Sequence, residues 1–210
     1  PQFGILTIFV SSESPNLIES KSLKLYLFSF ANTVFNNKNQ IIQTLEKDLT
    51  AVAGQPVSVV LETNPERFAT TLGSFTGESL DKLDIISTDK NVNPGLLKIN
   101  SAIIVQEQLC SDLLKSNCLV TGNPDWGSVR ITYAGPKIDR ESLLKYIISY
   151  RNHQGFHEQC IEHIYIDILN ILKPSKLIVE GRYTRRGGLD INPIRANNDI
   201  SLNNTRLFRQ

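Results

Sequence analysis

Methionine is missing from this 210-residue sequence altogether, the initiator included, and tryptophan occurs once. The expectation is that the sequence is truncated, processed or gapped relative to its full chain. Charge of one sign is also missing: 22 basic against 21 acidic residues leave a net +1, so no global field argues for nucleic acid or a membrane surface. No apolar run approaches the roughly 18 residues of a membrane span, and no charged-then-apolar leader opens the chain. Cysteine is scarce, with Cys110, Cys118 and Cys160 forming neither a CxxC nor an even framework. That pattern argues against a disulfide scaffold and for a reducing compartment, the cytoplasm. No GxGxxG follows a strand, so a dinucleotide here would not sit in a Rossmann fold.

What remains is ordinary globular composition, 40% hydrophobic and 20% charged, long enough to bury a sizeable core. Residues 4–10 read as a strand. Leu23, Tyr26, Leu27 and Phe30 make a helical face, and Ile41, Ile42, Leu45, Leu49 and Val52 make a second one that ends at Gly54 and Pro56. Val57, Val59 and Leu61 alternate as a strand. Beyond them, residues 101–108 and 128–133 read as strands, and Asp139 is a candidate N-cap for a helix carrying Leu143, Leu144, Ile147 and Ile148. A long helix with Ile161, Ile164, Ile168 and Leu172 follows, then a strand over 177–184 and a short one near 202–208. Residues 18–32 and 138–152 align with six identities in fifteen, in the same order, which points to duplication. Each copy predicts strands, two consecutive helices, then strands, an α+β module whose antiparallel sheet carries both helices on one face. The expected division is an N-terminal module over 1–62, a connector with short strands over 63–100, and a C-terminal module over 101–210.

The chemistry concentrates in three stretches. In Lys115–Gly127, Cys118 precedes Asp125 by seven residues, with the turn-forming Gly122-Asn123-Pro124 between them. A thiol and a carboxylate on one tight loop can perform covalent catalysis with proton donation, although a buried thiol and a turn aspartate look the same in sequence. The second stretch, Phe156-His157-Glu158, opens a helix where the first copy has only Phe35-Asn36-Asn37. An acid at a helix N-terminus, as at Glu19 and Glu158, stays ionised and can accept two parallel hydrogen bonds from a guanine-like edge; simple capping is the alternative. His153 and His157 are four apart and could join Cys110 or Cys118 on zinc, but the spacing matches no closed site. The third stretch, Gly181–Arg195, opens a segment with six arginines against two aspartates over 181–210. There Arg185-Arg186-Gly187-Gly188 allows close approach to phosphate; a solvated basic tail or an RNA-contacting surface is the other reading.

Four motifs carry a resemblance: Ile18-Glu-Ser-Lys-Ser-Leu-Lys-Leu-Tyr-Leu, Ser116-Asn-Cys-Leu-Val-Thr-Gly-Asn-Pro-Asp-Trp-Gly, Phe156-His-Glu-Gln-Cys and Tyr183-Thr-Arg-Arg-Gly-Gly-Leu-Asp-Ile-Asn-Pro. In this order they resemble the NADPH-dependent 7-cyano-7-deazaguanine reductases (QueF) of the tunnelling-fold superfamily, in particular the two-module subgroup, whose members carry more sequence before this start. The resemblance implies tandem tunnelling-fold modules and a nitrile reductase of queuosine biosynthesis, cytoplasmic and homodimeric, without direct nucleic-acid or membrane binding. It implies Cys118 as the nucleophile that forms a thioimide, Asp125 as proton donor and His157 as an assistant in proton transfer or substrate orientation. It further implies that Ile18, Glu19, Ser20, His157 and Glu158 bind the substrate. Ser20, Lys21, Arg186 and Gly187 would hold NADPH, with Arg185 as helper, and no metal takes part. The alternatives are a zinc-dependent cyclohydrolase of the same superfamily and a non-catalytic purine- or RNA-binding module.

Overall fold

One tertiary hydrogen bond occurs twice, 120 residues apart at the donor. Tyr26 donates to Asp48 Oδ2 at 2.6 Å, and Tyr146 donates to Asp167 Oδ2 at 2.6 Å. The serine three residues on repeats as well, with Ser29 Oγ on the Tyr26 carbonyl and Ser149 Oγ on the Tyr146 carbonyl, both at 2.6 Å. The Tyr–Asp bond ties the first helix of each copy to the second, and the serine bond lies within the first helix, so the duplication extends from sequence into packing. The computed structural model describes residues 3–64, 66, 72–87, 89, 91–202 and 204–210. It divides into two units, Pro1–Thr70 and Thr71–Gln210.

The first unit runs β1 (Ile5–Val10), α1 (Ser20–Phe30), α2 (Lys38–Ala53) and β2 (Val57–Glu62), with β1 and β2 antiparallel. Its core is small: Leu45, Leu49, Ala53, Val57 and Val59 are buried, with Leu23, Tyr26, Leu27 and Phe30 packed against them. Val52, expected on the buried stripe, is 53% exposed, because the α2 face that meets the sheet continues from Leu49 to Ala53. Gly54 ends α2 at φ 77°, a left-handed backbone that a side chain resists.

The second unit holds a five-stranded sheet in the order β3 (Glu78–Ser79), β4 (Ile99–Asn117), β5 (Pro124–Ile138), β6 (Lys176–Tyr183), β7 (Ile194–Ala196). All its pairings are antiparallel except that of β3 with β4. Helices α3 (Arg140–Ser149) and α4 (His157–Leu172) complete it. Leu143, Leu144 and Ile147 of α3 and Ile161, Ile164 and Ile168 of α4 join Val129, Ile131, Tyr133, Leu177 and Val179 of the sheet in one core. Asp139 caps α3 by accepting from the Ser142 N–H at 2.9 Å.

Strands β4 and β5 exceed the spans read from alternation. Register shifts between Asn100 and Ile104, and between Ser111 and Leu114, move side chains out of phase, so the period-two signal breaks inside a continuous strand. The strand expected near 202–208 is instead β7 at 194–196. Around Leu207 the described backbone makes a bridge with Gly73 and no strand. Of the connector, residues 65, 67–71, 88 and 90 lie outside the described residues. No helix among the described residues is long and apolar enough to cross a membrane.

Candidate active site

The loop between β4 and β5 is closed by its own backbone. Cys118 N–H donates to the Asn123 carbonyl at 2.8 Å, and Gly122 N–H returns to the Cys118 carbonyl at 2.9 Å, with Gly122 at φ 71°. The turn therefore spans 118–123. Asp125, which the sequence placed in the loop, is already in β5, opposite Ser116. A second tether brings up the helix. Asn117 N–H donates to the His153 carbonyl at 2.8 Å, and Gly155 N–H donates to the Asn117 carbonyl at 3.1 Å. Residues 153–155 are thereby fastened to the end of β4, and α4 starts immediately beyond them. It has no polar N-cap side chain; the Phe156 N–H is met by Gln159 Oε1 at 3.2 Å.

Asp125 is the hub. It is 4% exposed and accepts from Arg186 Nη1 at 2.6 Å through Oδ1, while His157 Nε2 lies 3.1 Å from Oδ2. Burial alone would push its carboxyl up; the hydrogen bonds and charges of His157 and Arg186 outweigh burial and hold it below the usual aspartate value. Cys118 is half-buried, with the same contest. Burial raises its thiol, but hydrogen bonds from Thr121 Oγ1, from the Thr121 and Val120 N–H groups and from Arg186 bring it below its ordinary value. Arg186 thus faces both the sulfur and the acid.

The imidazole of His157 stacks on the Tyr183 ring with centroids 3.9 Å apart and planes 7° from parallel. Its Nδ1 is buried and meets no hydrogen-bond partner among the described residues. Tyr183 lies opposite Gly127 in the sheet; a Cβ on that glycine would come within 3.1 Å of the ring. Nothing in the sequence marked Tyr183, Gly127 or Thr121 for these positions, because their proximity arises from strand register and from turn closure. Glu158, half-buried in the first turn of α4, has its carboxyl pushed up by burial against the pull of its own N–H, His157 and Arg195.

Arg186 stands at the base of a two-residue turn. Its N–H and carbonyl pair with Leu189 at 3.0 and 3.2 Å, across Gly187 at φ 58° and Gly188 at φ 79°. This is the type I′ geometry that glycine pairs favour. Arg185 pairs with Asp190 at 3.0 Å in the same hairpin and is 39% exposed. Two guanidinium groups beside a glycine turn suit the phosphates of a dinucleotide in donor chemistry.

The remaining expected residues belong to the first unit. Glu19 caps α1: its oxygens accept from Lys21 N–H at 2.8 Å, Ser22 N–H at 2.7 Å and Ser22 Oγ at 2.9 Å. Burial works against ionisation, and these bonds outweigh it, so the carboxyl lies below its ordinary value. Ile18 packs on that unit's core, Ser20 begins α1, and Lys21 is exposed. The zinc alternative finds no donor set: no group of three or more His, Cys, Asp or Glu among the described residues converges on a point. His153 instead meets Tyr150 and His163 edge-on.

Comparison with known proteins gives consistent results across the chain. Residues 1–61 match the family model described as nitrile reductase, 7-cyano-7-deazaguanine-reductase N-term, and residues 124–201 match that of QueF-like protein. The NADPH-dependent 7-cyano-7-deazaguanine reductase of Burkholderia lata is 51% identical over 212 residues, spanning 100% of this chain and 77% of its own length. The enzymes of the same name from Paraburkholderia xenovorans and Chromobacterium violaceum are 52% and 51% identical, covering 77% and 76% of their lengths. Among solved structures, the archaeosine synthase QueF-Like in the apo form superposes on 50% of this chain with a TM-score of 0.40 at 18% identity.

Proposed function

This chain belongs to the NADPH-dependent 7-cyano-7-deazaguanine reductases, and from that premise we propose that it reduces 7-cyano-7-deazaguanine to the 7-aminomethyl compound through a thioimide on Cys118. It is an oxidoreductase whose cofactor is NADPH. One observation carries the mechanistic reading: Arg186 bonds the Asp125 carboxylate at 2.6 Å and also faces the Cys118 sulfur, whose thiol lies below its ordinary value. Nucleophile and acid therefore meet through one cation.

A nitrile is a poor hydride acceptor, and addition of a thiol turns it into a tethered thioimide that accepts hydride more readily. As Cys118 becomes thiolate, its proton passes to the Asp125 carboxylate, which shares Arg186 with the sulfur. The sulfur then bonds the nitrile carbon, one π bond opens toward nitrogen, and Asp125 returns the proton to that nitrogen. No electron is gained or lost in this step. His157, fixed by its stack on Tyr183 and by Asp125, orients the reacting group and relays protons at Nε2. Glu158 is the proposed contact for the purine-like edge in the second unit, and Ile18, Glu19 and Ser20 are the proposed substrate-binding residues of the first. NADPH, when bound, would supply one hydride per molecule, so two molecules in turn would provide the two hydrides that nitrile-to-amine conversion needs. The proposed cofactor residues are Arg185, Arg186 and Gly187 in the second unit and Ser20 and Lys21 in the first. When the carbon–sulfur bond breaks, the electrons return to Cys118, where the same hydrogen bonds receive the thiolate.

The duplicated Tyr–Asp and Ser–carbonyl bonds support a reading as tandem tunnelling-fold modules, the first over 1–62 and the second over 101–210, joined by 63–100. The setting that goes with this reading is queuosine biosynthesis in the cytoplasm, by a homodimer that works on the free base and does not grip tRNA. The test is mass spectrometry of protein mixed with the cyano compound and no NADPH. A one-to-one adduct absent from Cys118→Ala is expected; a full adduct in that variant removes Cys118 from the mechanism. With NADPH present, about two molecules should be oxidised per substrate, since nitrile-to-amine conversion takes two hydrides.

A further inference from the structure

We propose that Arg186 serves the carbon–sulfur bond-forming step itself, as the cation shared by Cys118 and Asp125, in addition to holding the dinucleotide. The inference rests on the thioimide reading above and deepens it. Two arginines stand side by side in the hairpin, and they behave differently. Arg185 pairs within its own turn, with Asp190 at 3.0 Å. Arg186 points the other way, into the site, and sets Nη1 2.6 Å from Oδ1 of a carboxylate that is 4% exposed. Its backbone is fixed at both N–H and carbonyl by Leu189, so the guanidinium leaves the turn from a rigid base.

The charge arithmetic of the site needs such a cation. The groups that act on the sulfur are Thr121, Val120 and Arg186. Asp125 of β5 meets Arg186 at 2.6 Å and His157, from the start of α4, at 3.1 Å, while Glu158 lies beside His157 and Arg185 pairs with Asp190. Lys115 of β4 is engaged elsewhere, on Asn117 Oδ1 and the Arg151 carbonyl, both at 2.6 Å. Thr121 and Val120 offer the sulfur only neutral donors; Arg186 is the permanent cation among its hydrogen-bond partners. Passing the thiol proton to Asp125 moves the single negative charge of the pair from the carboxylate to the sulfur. The guanidinium, planar and always charged, meets both groups and can stabilise that charge on either. The atoms balance without any cofactor: the thiol proton moves through Asp125 to the nitrile nitrogen, and the S–C bond replaces one C–N π bond.

A residue that only grips phosphate would leave this step untouched, so the step can be timed with no NADPH present. For Arg186→Gln, NADPH-free adduct formation at pH 7 should slow at least tenfold. The midpoint of the pH dependence of Cys118 alkylation by iodoacetamide, read on the Cys118 peptide, should move upward. Arg186→Lys keeps the charge without the fork and should lie between the two, with a smaller midpoint shift; it carries the test if Arg186→Gln does not fold. Parental adduct rates and alkylation midpoints in a folded Arg186 variant, with only the NADPH requirement raised, would overturn the proposal. Full adduct formation by Cys118→Ala would instead sink the thioimide reading on which it stands.

Discussion

Gly127→Ala tests whether the site depends on the missing side chain beneath Tyr183. Gly127 does not have a positive φ, so alanine can adopt its backbone, and the change is one of space alone. The new methyl carbon would lie 3.1 Å from Tyr183 Cδ1 and Cε1 and 3.4 Å from Cζ. That is a few tenths of an ångström too close, and the ring has little room to yield: it is 0% exposed, with the His157 imidazole 3.9 Å away on one face. Overpacking of this kind costs roughly 1–3 kcal/mol, offset by about 0.4–1 kcal/mol from the stiffer unfolded chain. A net loss of about 1–2 kcal/mol should lower Tm by roughly 2–8 °C at this size. The kinetic effect follows from transmitted displacement. If a 1 Å misplacement of a reacting group costs about a hundredfold, a shift of about 0.3 Å of His157 costs about fourfold in kcat. Calorimetry and NADPH absorbance measure the two quantities on one preparation. A lowered Tm with kcat unchanged would show that Tyr183 does not set the position of His157. No change in either would show that the slot is not tight.

Asp125→Asn removes the carboxylate that Arg186 and His157 share, and NADPH-free adduct formation should fall by about 10²–10⁴-fold, read by mass spectrometry over time. Acid unfolding should register the same group. Its carboxyl is depressed in the folded state, so it contributes stability above the unfolded aspartate value of about 3.9 and loses that contribution as pH falls through the folded value. Asp125→Asn should therefore flatten the acid limb of a stability–pH curve measured by urea unfolding. Glu158 has the opposite sign: burial raises its carboxyl, so its ionisation opposes folding above the unfolded value, and the penalty fades as pH falls through the folded one. Glu158→Gln should stabilise at pH 7 and become neutral near pH 4 in the same assay, at a cost in substrate KM. Tyr146→Phe removes a buried hydroxyl bonded to Asp167 and Tyr150 at 2.6 and 3.0 Å and should cost about 1–3 kcal/mol in urea unfolding, with kcat little changed.

Sequence alone determined what local rules can carry. Helical period placed α1 to α4, Asp139 announced the start of α3 as its cap, Gly54 announced the end of α2, and the six shared identities announced the duplication. Four motifs in order identified the family and singled out Cys118, Asp125, His157 and Arg186 as residues to watch. Tertiary structure decided their relation to one another. Strand register seated Asp125 in β5, and two backbone tethers from Asn117 delivered His157 to it. A hairpin 61 residues away in sequence supplied Arg186 to the same carboxylate. Tyr183 became the floor under His157 only because β6 pairs it with a glycine, and β4 ran through its irregular stretches because β5 is there to pair with it. The physical reason is common to all of these. Propensity and capping act over a few residues and can be read along the chain. Register, burial and the charge state of a carboxylate depend on groups that the chain brings near only once it has folded.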